Sequence, residues 1–178
     1  MTILRRAFVT ASIAWAVLLP IAPLAASHQA PARFWYGLAF VVYGAGTFVC
    51  HQLPWRSFHS WSAQWPVCAR CTGIYVGAAV AATVAMVRLP SLSLRPGKPD
   101  ATYDSKVRLK PDTTYNTANS TRRARALLAV AALPSAITLV YEWTTGDTPS
   151  NAIRALAGVP LGAAVAFVIV RSLTAPRA

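Results

Sequence analysis

Two short cysteine-containing segments hold the residues best suited to chemistry in this chain of 178 residues. Cys50 and His51 are neighbours, and Cys68 and Cys71 form a Cys-x-x-Cys pair further along. Thiolates and imidazoles are the usual zinc ligands, and thiolates also hold iron centres. The four side chains therefore predict a zinc or iron site, although a Cys-x-x-Cys pair could instead cycle between dithiol and disulfide. In a third interpretation the thiols are apolar filler or a structural disulfide.

Apolar stretches determine where these two segments lie. Five stretches approach the ~17–25 residues that cross a bilayer as a helix. They cover approximately residues 7–26, 34–50, 71–88, 125–141 and 154–171. Only 12% of the residues are charged, which is about half the share in soluble domains. The sequence therefore predicts an all-α, polytopic transmembrane helical bundle. It forms a single integral membrane domain over residues 1–178, in contact with the lipid bilayer.

The link between the second and third predicted helices brings the cysteines to one depth. Cys50 ends the second helix and Cys71 begins the third, so the short link makes these helices an antiparallel hairpin. Four aromatic residues of the link would share an arc of ~120° on a helix. They are Trp55, Phe58, Trp61 and Trp65. Because Trp favours the membrane interface, we expect a short amphipathic helix over residues 54–66, either an anchor or a lid over the cysteines.

Polar side chains are expected to surround the cysteines on the same membrane face. The predicted shell consists of Arg56, His59, Arg70, Thr72, Glu142, Asn151 and Arg154. Glu142 is the only glutamate and ends the fourth helix, where an acidic group is costly unless it is paired. Arg70 or Arg154 could pair with it for structural reasons alone. The arginines could otherwise contact lipid headgroups, bind an anion or substrate, or stabilise nearby thiolates.

A long basic segment, residues 89–124, separates the third and fourth helices. It is polar, contains proline and repeats the pattern Lys-Pro-Asp-x-Thr-Tyr. Because such a segment buries too little apolar surface to offset its ordering entropy, it is predicted to be a disordered insertion. Basic segments beside membrane spans are typical of cytoplasmic loops. The formal net charge of +12 therefore does not predict nucleic-acid binding.

The basic residues also predict an orientation in the membrane. With five crossings, twelve of the 17 Lys and Arg residues fall on one side and five on the other. The positive-inside rule places the larger set in the cytoplasm. The N-terminus is then outside, the C-terminus inside and the cysteine site extracytoplasmic, in the inner membrane of a bacterium. Arg5 and Arg6 oppose this orientation, and the first helix is expected to be a span rather than a cleaved signal peptide.

Two glycine pairs have the spacing of helix-packing faces. Gly73 and Gly77 lie in the third helix, and Gly158 and Gly162 lie in the fifth. Small residues four apart allow helix backbones to approach closely in lipid. We expect these faces to pack tightly, within the chain or between copies in a homo-oligomer.

The cysteine segments resemble a known membrane family. The resemblance rests on Cys50-His51-Gln52-x-Pro54-x-Arg56-Ser57-Phe58 and on Pro66-Val67-Cys68-Ala69-Arg70-Cys71-Thr72-Gly73-Ile74-Tyr75-x-Gly77. These motifs are similar to the bacterial and archaeal family called domain of unknown function 2085. Ser150-Asn151-x-x-Arg154 followed by Gly158 is similar to its C-terminal pattern.

The resemblance covers the second to fifth helices, but not the first helix or the repeat segment. It implies a membrane protein and brings no established activity. In some members Asp stands in place of Cys71. Such an exchange favours a metal site, because a carboxylate can replace a thiolate as ligand but cannot join a dithiol switch.

Three function classes therefore stay open. The first is a metal-binding membrane protein whose reaction, substrate and catalytic residues the sequence does not define. The second is a membrane thiol-disulfide oxidoreductase that uses Cys68 and Cys71. The third is a transporter of small solutes or ions, which is less favoured because no predicted span carries a charge near its middle.

Overall fold

A computed structural model describes residues 2–27, 33–92 and 113–174. These residues form five α-helices and one small sheet. The helices are α1 (Thr2–Ser27), α2 (Arg33–Val49), α3 (Ala69–Leu92), α4 (Thr113–Thr145) and α5 (Asn151–Thr174). Between α2 and α3 lie a 3-10 turn (Pro54–Arg56) and the strands β1 (Ser57–Ser60) and β2 (Ala63–Cys68). The predicted class, a helical membrane bundle, is confirmed.

The helices differ in their ability to cross a membrane. Among the described residues, α1, α3, α4 and α5 are long and apolar enough to do so. Helix α2 has 17 residues, and at ~1.5 Å per residue it spans only about 25 Å. This is shorter than the ~30 Å of a bilayer's hydrocarbon core.

The two glycine pairs form the centre of the bundle, where α3 and α5 run parallel to each other. A Cβ added to Gly73 or Gly77 would overlap backbone carbonyl oxygens of α5. A Cβ added to Gly158 or Gly162 would overlap those of α3 in the same way. The predicted close approach is therefore confirmed, and it occurs within the chain. Each face buries the other within the chain, and a homo-oligomer through these faces stays a prediction.

Helix α4 packs beside α5 in the opposite direction. The Ser135 hydroxyl donates a hydrogen bond of 2.8 Å to the carbonyl oxygen of Ala157. Since α4 runs antiparallel to α5, its carboxyl end lies where α3 and α5 begin. We call this end of the bundle the site end.

Helix α1 runs antiparallel to α3. Arg5 donates a hydrogen bond of 2.8 Å to the carbonyl oxygen of Met86. Further along, the rings of Trp15 and Tyr75 meet edge to face with centroids 5.8 Å apart. The carboxyl end of α1 therefore also lies at the site end.

The start of α1 and the end of α5 lie at the same end of the bundle. Val9 near the start of α1 and Val170 near the end of α5 belong to one buried cluster. Both of these helix ends thus lie opposite the site end, whereas the five-crossing prediction places the termini on different membrane faces. The reason is α2, which follows the carboxyl end of α1 and itself ends at the site end.

The predicted interfacial helix over residues 54–66 is wrong. Only Pro54–Arg56 is helical, as a 3-10 turn, and β1 and β2 form an antiparallel hairpin. Its two turn residues, Trp61 and Ser62, have φ of 51° and 62°, as in the turns that match strand twist. Pro66 also lacks the backbone N–H that a helix interior needs.

Cross-strand contacts stabilise this hairpin. The Phe58 and Trp65 rings lie 5.4 Å apart, and the Trp65 indole donates a hydrogen bond of 3.0 Å to Ser60. Aromatic pairs across strands stabilise a sheet. Phe58 and Trp65, whose spacing suggested one face of a helix, therefore pack against each other across the two strands. Trp55 and Trp61 are exposed.

The predicted disordered segment is partly helical. Helix α3 extends to Leu92 and α4 begins at Thr113, so residues 113–124 are helical where disorder was expected. This stretch contains neither Pro nor Gly, and its Ala and Arg residues favour a helix. Residues 93–112, which include the first copy of the repeat, lie outside the described part of the chain.

Candidate functional site

The three cysteines converge at the site end. Their Sγ atoms all lie within 4.8 Å of one another. Cys50 follows the last turn of α2, Cys68 ends β2, and Cys71 lies in the first turn of α3. The backbone N–H of Cys68 donates a hydrogen bond of 3.2 Å to the Cys50 sulfur. All three are free and half-buried. We call these residues the thiol cluster.

His51 does not belong to this cluster, although it was predicted as the fourth ligand. Its side chain is exposed, and the group of nearby ligand atoms in the described residues contains the cysteines alone. The chain leaves α2 in an extended conformation and turns at Gln52, where φ is 50°. This turn directs successive side chains to different sides.

Gln52 is a site residue that the sequence analysis missed. Its side-chain amide donates hydrogen bonds to the carbonyl oxygens of Tyr43 (3.0 Å) and Pro66 (2.7 Å). Its own carbonyl oxygen accepts a hydrogen bond of 2.6 Å from Gln64. Gln52 thus joins the end of α2 to β2 and sets the distance between Cys50 and Cys68. The sequence feature that could have indicated Gln52 is its position in the Cys-His-Gln motif, directly after Cys50 and His51.

Cys68, which lies outside the spans, is an acidic thiol. A hydrogen bond from the Cys71 side chain lowers the pKa of Cys68 to about 5, against the opposing effect of burial. The backbone of residues 70 and 71 and the Cys50 side chain lower it further. At neutral pH Cys68 is therefore a thiolate, which is the form that binds metals and attacks disulfides.

A second group of polar side chains lies beside the thiol cluster. Three arginines surround the carboxylate of Glu142, which is only 3% exposed. Arg154 Nε lies 2.9 Å and Arg70 Nη2 lies 3.0 Å from its Oε1, and Arg56 Nη2 lies 3.3 Å from its Oε2. We call these four residues the arginine–glutamate cluster. The sequence suggested Arg70 or Arg154 as the partner of Glu142, and in the structure both arginines pair with it.

Helix α3 connects the two clusters. Arg70 lies between Cys68 and Cys71 in the chain, and its side chain also donates a hydrogen bond of 3.0 Å to Thr138. Thr72 is buried and donates to the carbonyl oxygen of Cys68 at 3.2 Å. One turn of helix therefore holds residues of both clusters.

The other predicted shell residues lie further out. Asn151 donates a hydrogen bond of 2.9 Å to the carbonyl oxygen of Ser57 and so fastens α5 to the hairpin. His59 is exposed on β1, opposite Gln64. It belongs to neither cluster.

Comparison with known proteins agrees with this placement of the motifs. Residues 50–97 match the model of a family described as "Predicted membrane protein (DUF2085)". The resemblance is confirmed over this segment. It contains all three cysteines, the hairpin, Arg56, Arg70 and the whole of α3, but not Glu142 or Arg154.

Two archaeal proteins are similar to parts of the chain. An uncharacterised protein of Methanocaldococcus jannaschii is 38% identical over 60 residues, which are 34% of this chain and 38% of that protein. An uncharacterised protein of Methanothermobacter thermautotrophicus is 52% identical over 31 residues, 17% of this chain and 28% of that protein. The chain thus spans less than half the length of either relative. No solved structure matches it at a significant level.

Proposed function

We propose that this integral membrane protein binds a zinc or iron ion through Cys50, Cys68 and Cys71. The observation that supports this most is the convergence of three sulfurs within 4.8 Å. Sulfurs that share one zinc ion with bonds of ~2.3 Å lie about 3.8 Å apart in a tetrahedral site. Small side-chain rotations would bring the three cysteines to that separation.

The donor set fits a thiophilic metal rather than a hard one. Thiolates select zinc, copper or iron, whereas magnesium and calcium take oxygen ligands. Three protein ligands leave a fourth position for water or a substrate, as in catalytic zinc sites. A bound zinc ion would supply Lewis acidity there, and the neighbouring Arg70 would offset the negative charge of three thiolates.

A thiol-disulfide oxidoreductase is the second candidate, supported by the low pKa of Cys68. In that reaction the Cys68 thiolate attacks a disulfide of a partner protein and forms a mixed disulfide. Cys71 then attacks the Cys68 sulfur and releases the partner as a dithiol. Two electrons pass to the partner, and Cys68 and Cys71 end as a disulfide.

Metal and thiol analysis separates these candidates. Detergent-purified wild type is compared with Cys68→Ser/Cys71→Ser and with the matched control His51→Ala. We expect about one zinc or iron per chain in wild type and His51→Ala and none in the double variant, because the cysteines supply the ligands. Absence of metal from wild type, with fewer than three free thiols until reductant is added, would instead support the redox reaction.

We also infer that the chain crosses the membrane four times, with the site end outside the cytoplasm. Both ends of α2 lie on the site-end side of the bundle, since α2 follows the carboxyl end of α1 and leads into Cys50. A spanning helix needs its ends on opposite faces. Helix α2 is therefore embedded in one leaflet, where its exposed Phe34, Phe40 and Phe48 contact lipid.

With four crossings, Arg5 and Arg6 no longer oppose the positive-inside rule. These arginines then lie on the same side as the basic segment 88–125 and Arg171, and that side is cytoplasmic by the positive-inside rule. Arg33, Arg56, Arg70 and Arg154 are the only basic residues left on the other side.

Cysteine labelling tests this topology. Single variants Arg6→Cys, Arg33→Cys and Asp147→Cys react in intact cells with a membrane-impermeant maleimide, and mass spectrometry locates the label. We expect labelling at positions 33 and 147 in intact cells and at position 6 only after permeabilisation. If position 33 is instead labelled from the opposite side to position 147, α2 crosses the bilayer and the inference fails.

A further inference from the structure

The arginine–glutamate cluster carries more positive than negative charge. Its three guanidinium groups face one carboxylate, which leaves a formal charge of +2. The side chains of Arg154 and Arg70 are only 2% and 17% exposed. Arginine does not lose its proton in proteins, so the cluster cannot relieve this excess by titration. Apart from the Cys68 thiolate of the neighbouring thiol cluster, the one other acidic side chain among the described residues is Asp147, which is exposed in the α4–α5 connection.

Several nitrogen atoms of this cluster have no hydrogen-bond partner among the residues that the structure describes. They include both terminal nitrogens of Arg154 and the Nε atoms of Arg56 and Arg70, all buried. Arg154 uses its Nε for Glu142, so its two terminal nitrogens form an unused fork. A buried donor without a partner is costly, and a guanidinium fork fits two oxygens of one oxyanion.

The helix ends around the cluster add to its positive potential. Arg70 lies in the first turn of α3 and Arg154 in the first turn of α5. The amino end of a helix carries a partial positive charge and attracts anions. The Glu142 carboxylate occupies one side of the cluster and leaves the Arg154 fork unused.

We propose that the arginine–glutamate cluster binds an oxyanion of the phosphate class at the site end. The Arg154 fork binds two of its oxygens, and Arg56 and Arg70 contribute charge and further donors. A phosphate monoester fits best, since its charge of about −1.5 to −2 at neutral pH balances the excess of the cluster. The phosphate comes from a lipid headgroup of the surrounding leaflet or from a soluble compound. This site is separate from the thiol cluster and does not depend on a bound metal.

Thermal unfolding in inorganic phosphate tests the proposal. Detergent-purified wild type is titrated with phosphate, while chloride keeps the ionic strength constant. Arg56→Gln removes a partly exposed member of the cluster, and Arg33→Gln removes the same charge from the start of α2. We expect a saturable rise of Tm in wild type and Arg33→Gln, and at least tenfold weaker phosphate affinity in Arg56→Gln. Arg154→Lys keeps the charge but loses the fork, and we expect no saturable rise.

Two results would overturn the proposal. One is no rise of Tm beyond the chloride control, and the other is an equal rise in Arg56→Gln and Arg33→Gln. If Arg154→Lys fails to fold, the comparison of Arg56→Gln with Arg33→Gln still tests the proposed phosphate site. Repeating the titration in Cys68→Ser/Cys71→Ser separates this site from the metal site, because we expect the phosphate response to persist without metal.

Lipid composition distinguishes the two sources of phosphate. The protein is placed in nanodiscs of phosphatidic acid or of phosphatidylcholine, and the phosphate titration is repeated. If a headgroup is the ligand, phosphatidic acid raises Tm by itself and abolishes the response to added phosphate. If a soluble compound is the ligand, the response is the same in both lipids. Either result supports the site, and the absence of any response in both lipids contradicts it.

Discussion

The thiol cluster and the arginine–glutamate cluster lie side by side at the site end, but they are built differently. The three cysteines fall within 22 consecutive residues, on the end of α2, the hairpin and the first turn of α3. The arginine–glutamate cluster draws its members from the 3-10 turn, α3, α4 and α5. The first cluster is half-buried and carries no formal positive charge, while the second contains a fully buried ion pair.

This difference separates two roles. The thiol cluster depends on local chain geometry, with Gln52 and the hairpin holding its sulfurs together. The arginine–glutamate cluster depends on how the helices pack, because Glu142 meets its arginines only when α3, α4 and α5 are assembled. We therefore expect changes in the second cluster to alter the stability of the bundle, and changes in the first to alter its chemistry.

Glu142→Ala should have the largest effect on stability. It leaves the buried Arg154 without its carboxylate, and breaking such a pair costs about 3–5 kcal/mol. Arg70 also loses its carboxylate partner. Arg56 is 37% exposed, so solvent screens its pairing with Glu142 and the loss of that pair adds little. The free energy of unfolding in detergent, measured against the exposed control Asp147→Asn, checks this. An unchanged stability in Glu142→Ala would show that helix packing does not depend on the cluster.

Gly162→Ala should have an intermediate effect. A Cβ at this position overlaps the backbone of Ile74 and forces α5 away from α3, at a cost of about 1–3 kcal/mol. The same change at Gly44, where a Cβ meets nothing within 4 Å, should not destabilise the protein. We expect Gly162→Ala to weaken the ion pairs that Arg70 and Arg154 form with Glu142 but to retain metal. Equal loss of metal and stability would mean that the two clusters are not independent.

The titration of Cys68 should affect the fold least, because this thiol is only half-buried and solvent screens its charge. Its folded pKa is about 5, below the ~8.5 of a free thiol, so its thiolate stabilises the folded state. This contribution is complete above the unfolded pKa and is lost as the pH falls to about 5. Alkylation of Cys68 by iodoacetamide in metal-free protein should therefore stay fast down to about pH 6.

The denatured chain is the control for that measurement. In guanidinium chloride the alkylation rate of Cys68 should begin to fall below about pH 8.5, as for a free thiol. Peptide mass spectrometry resolves Cys68 from the other cysteines. The same pH profile in folded and denatured protein would show that the thiol cluster does not activate Cys68.

Part of this arrangement was predictable because it follows from local pattern. Apolar stretches of span length identified the helices, and the spacing of Cys50, Cys68 and Cys71 around one short link predicted that their sulfurs meet. Glycines four residues apart predicted the close helix contact. In each case the residues that determine the feature are near one another in the chain or repeat with the period of a helix.

The predictions that failed concern features that local sequence pattern does not determine. Aromatic spacing over residues 54–66 fits one face of a helix, but pairing of β1 with β2 and the proline in β2 favour a hairpin. The direction of α2 was not predicted either, because contacts of Gln52 and Gly46 with β2 orient it. Composition does not report the direction of a helix.

By itself the sequence determined the membrane setting, the helices and the meeting of three thiols, because hydrophobic length and short spacings are properties of the chain. Only the tertiary structure decided that α3 and α5 bury each other's glycines, that α1 starts and α5 ends opposite the site end, and that three arginines share Glu142. These features join residues far apart in the chain, where packing and charge pairing act through space.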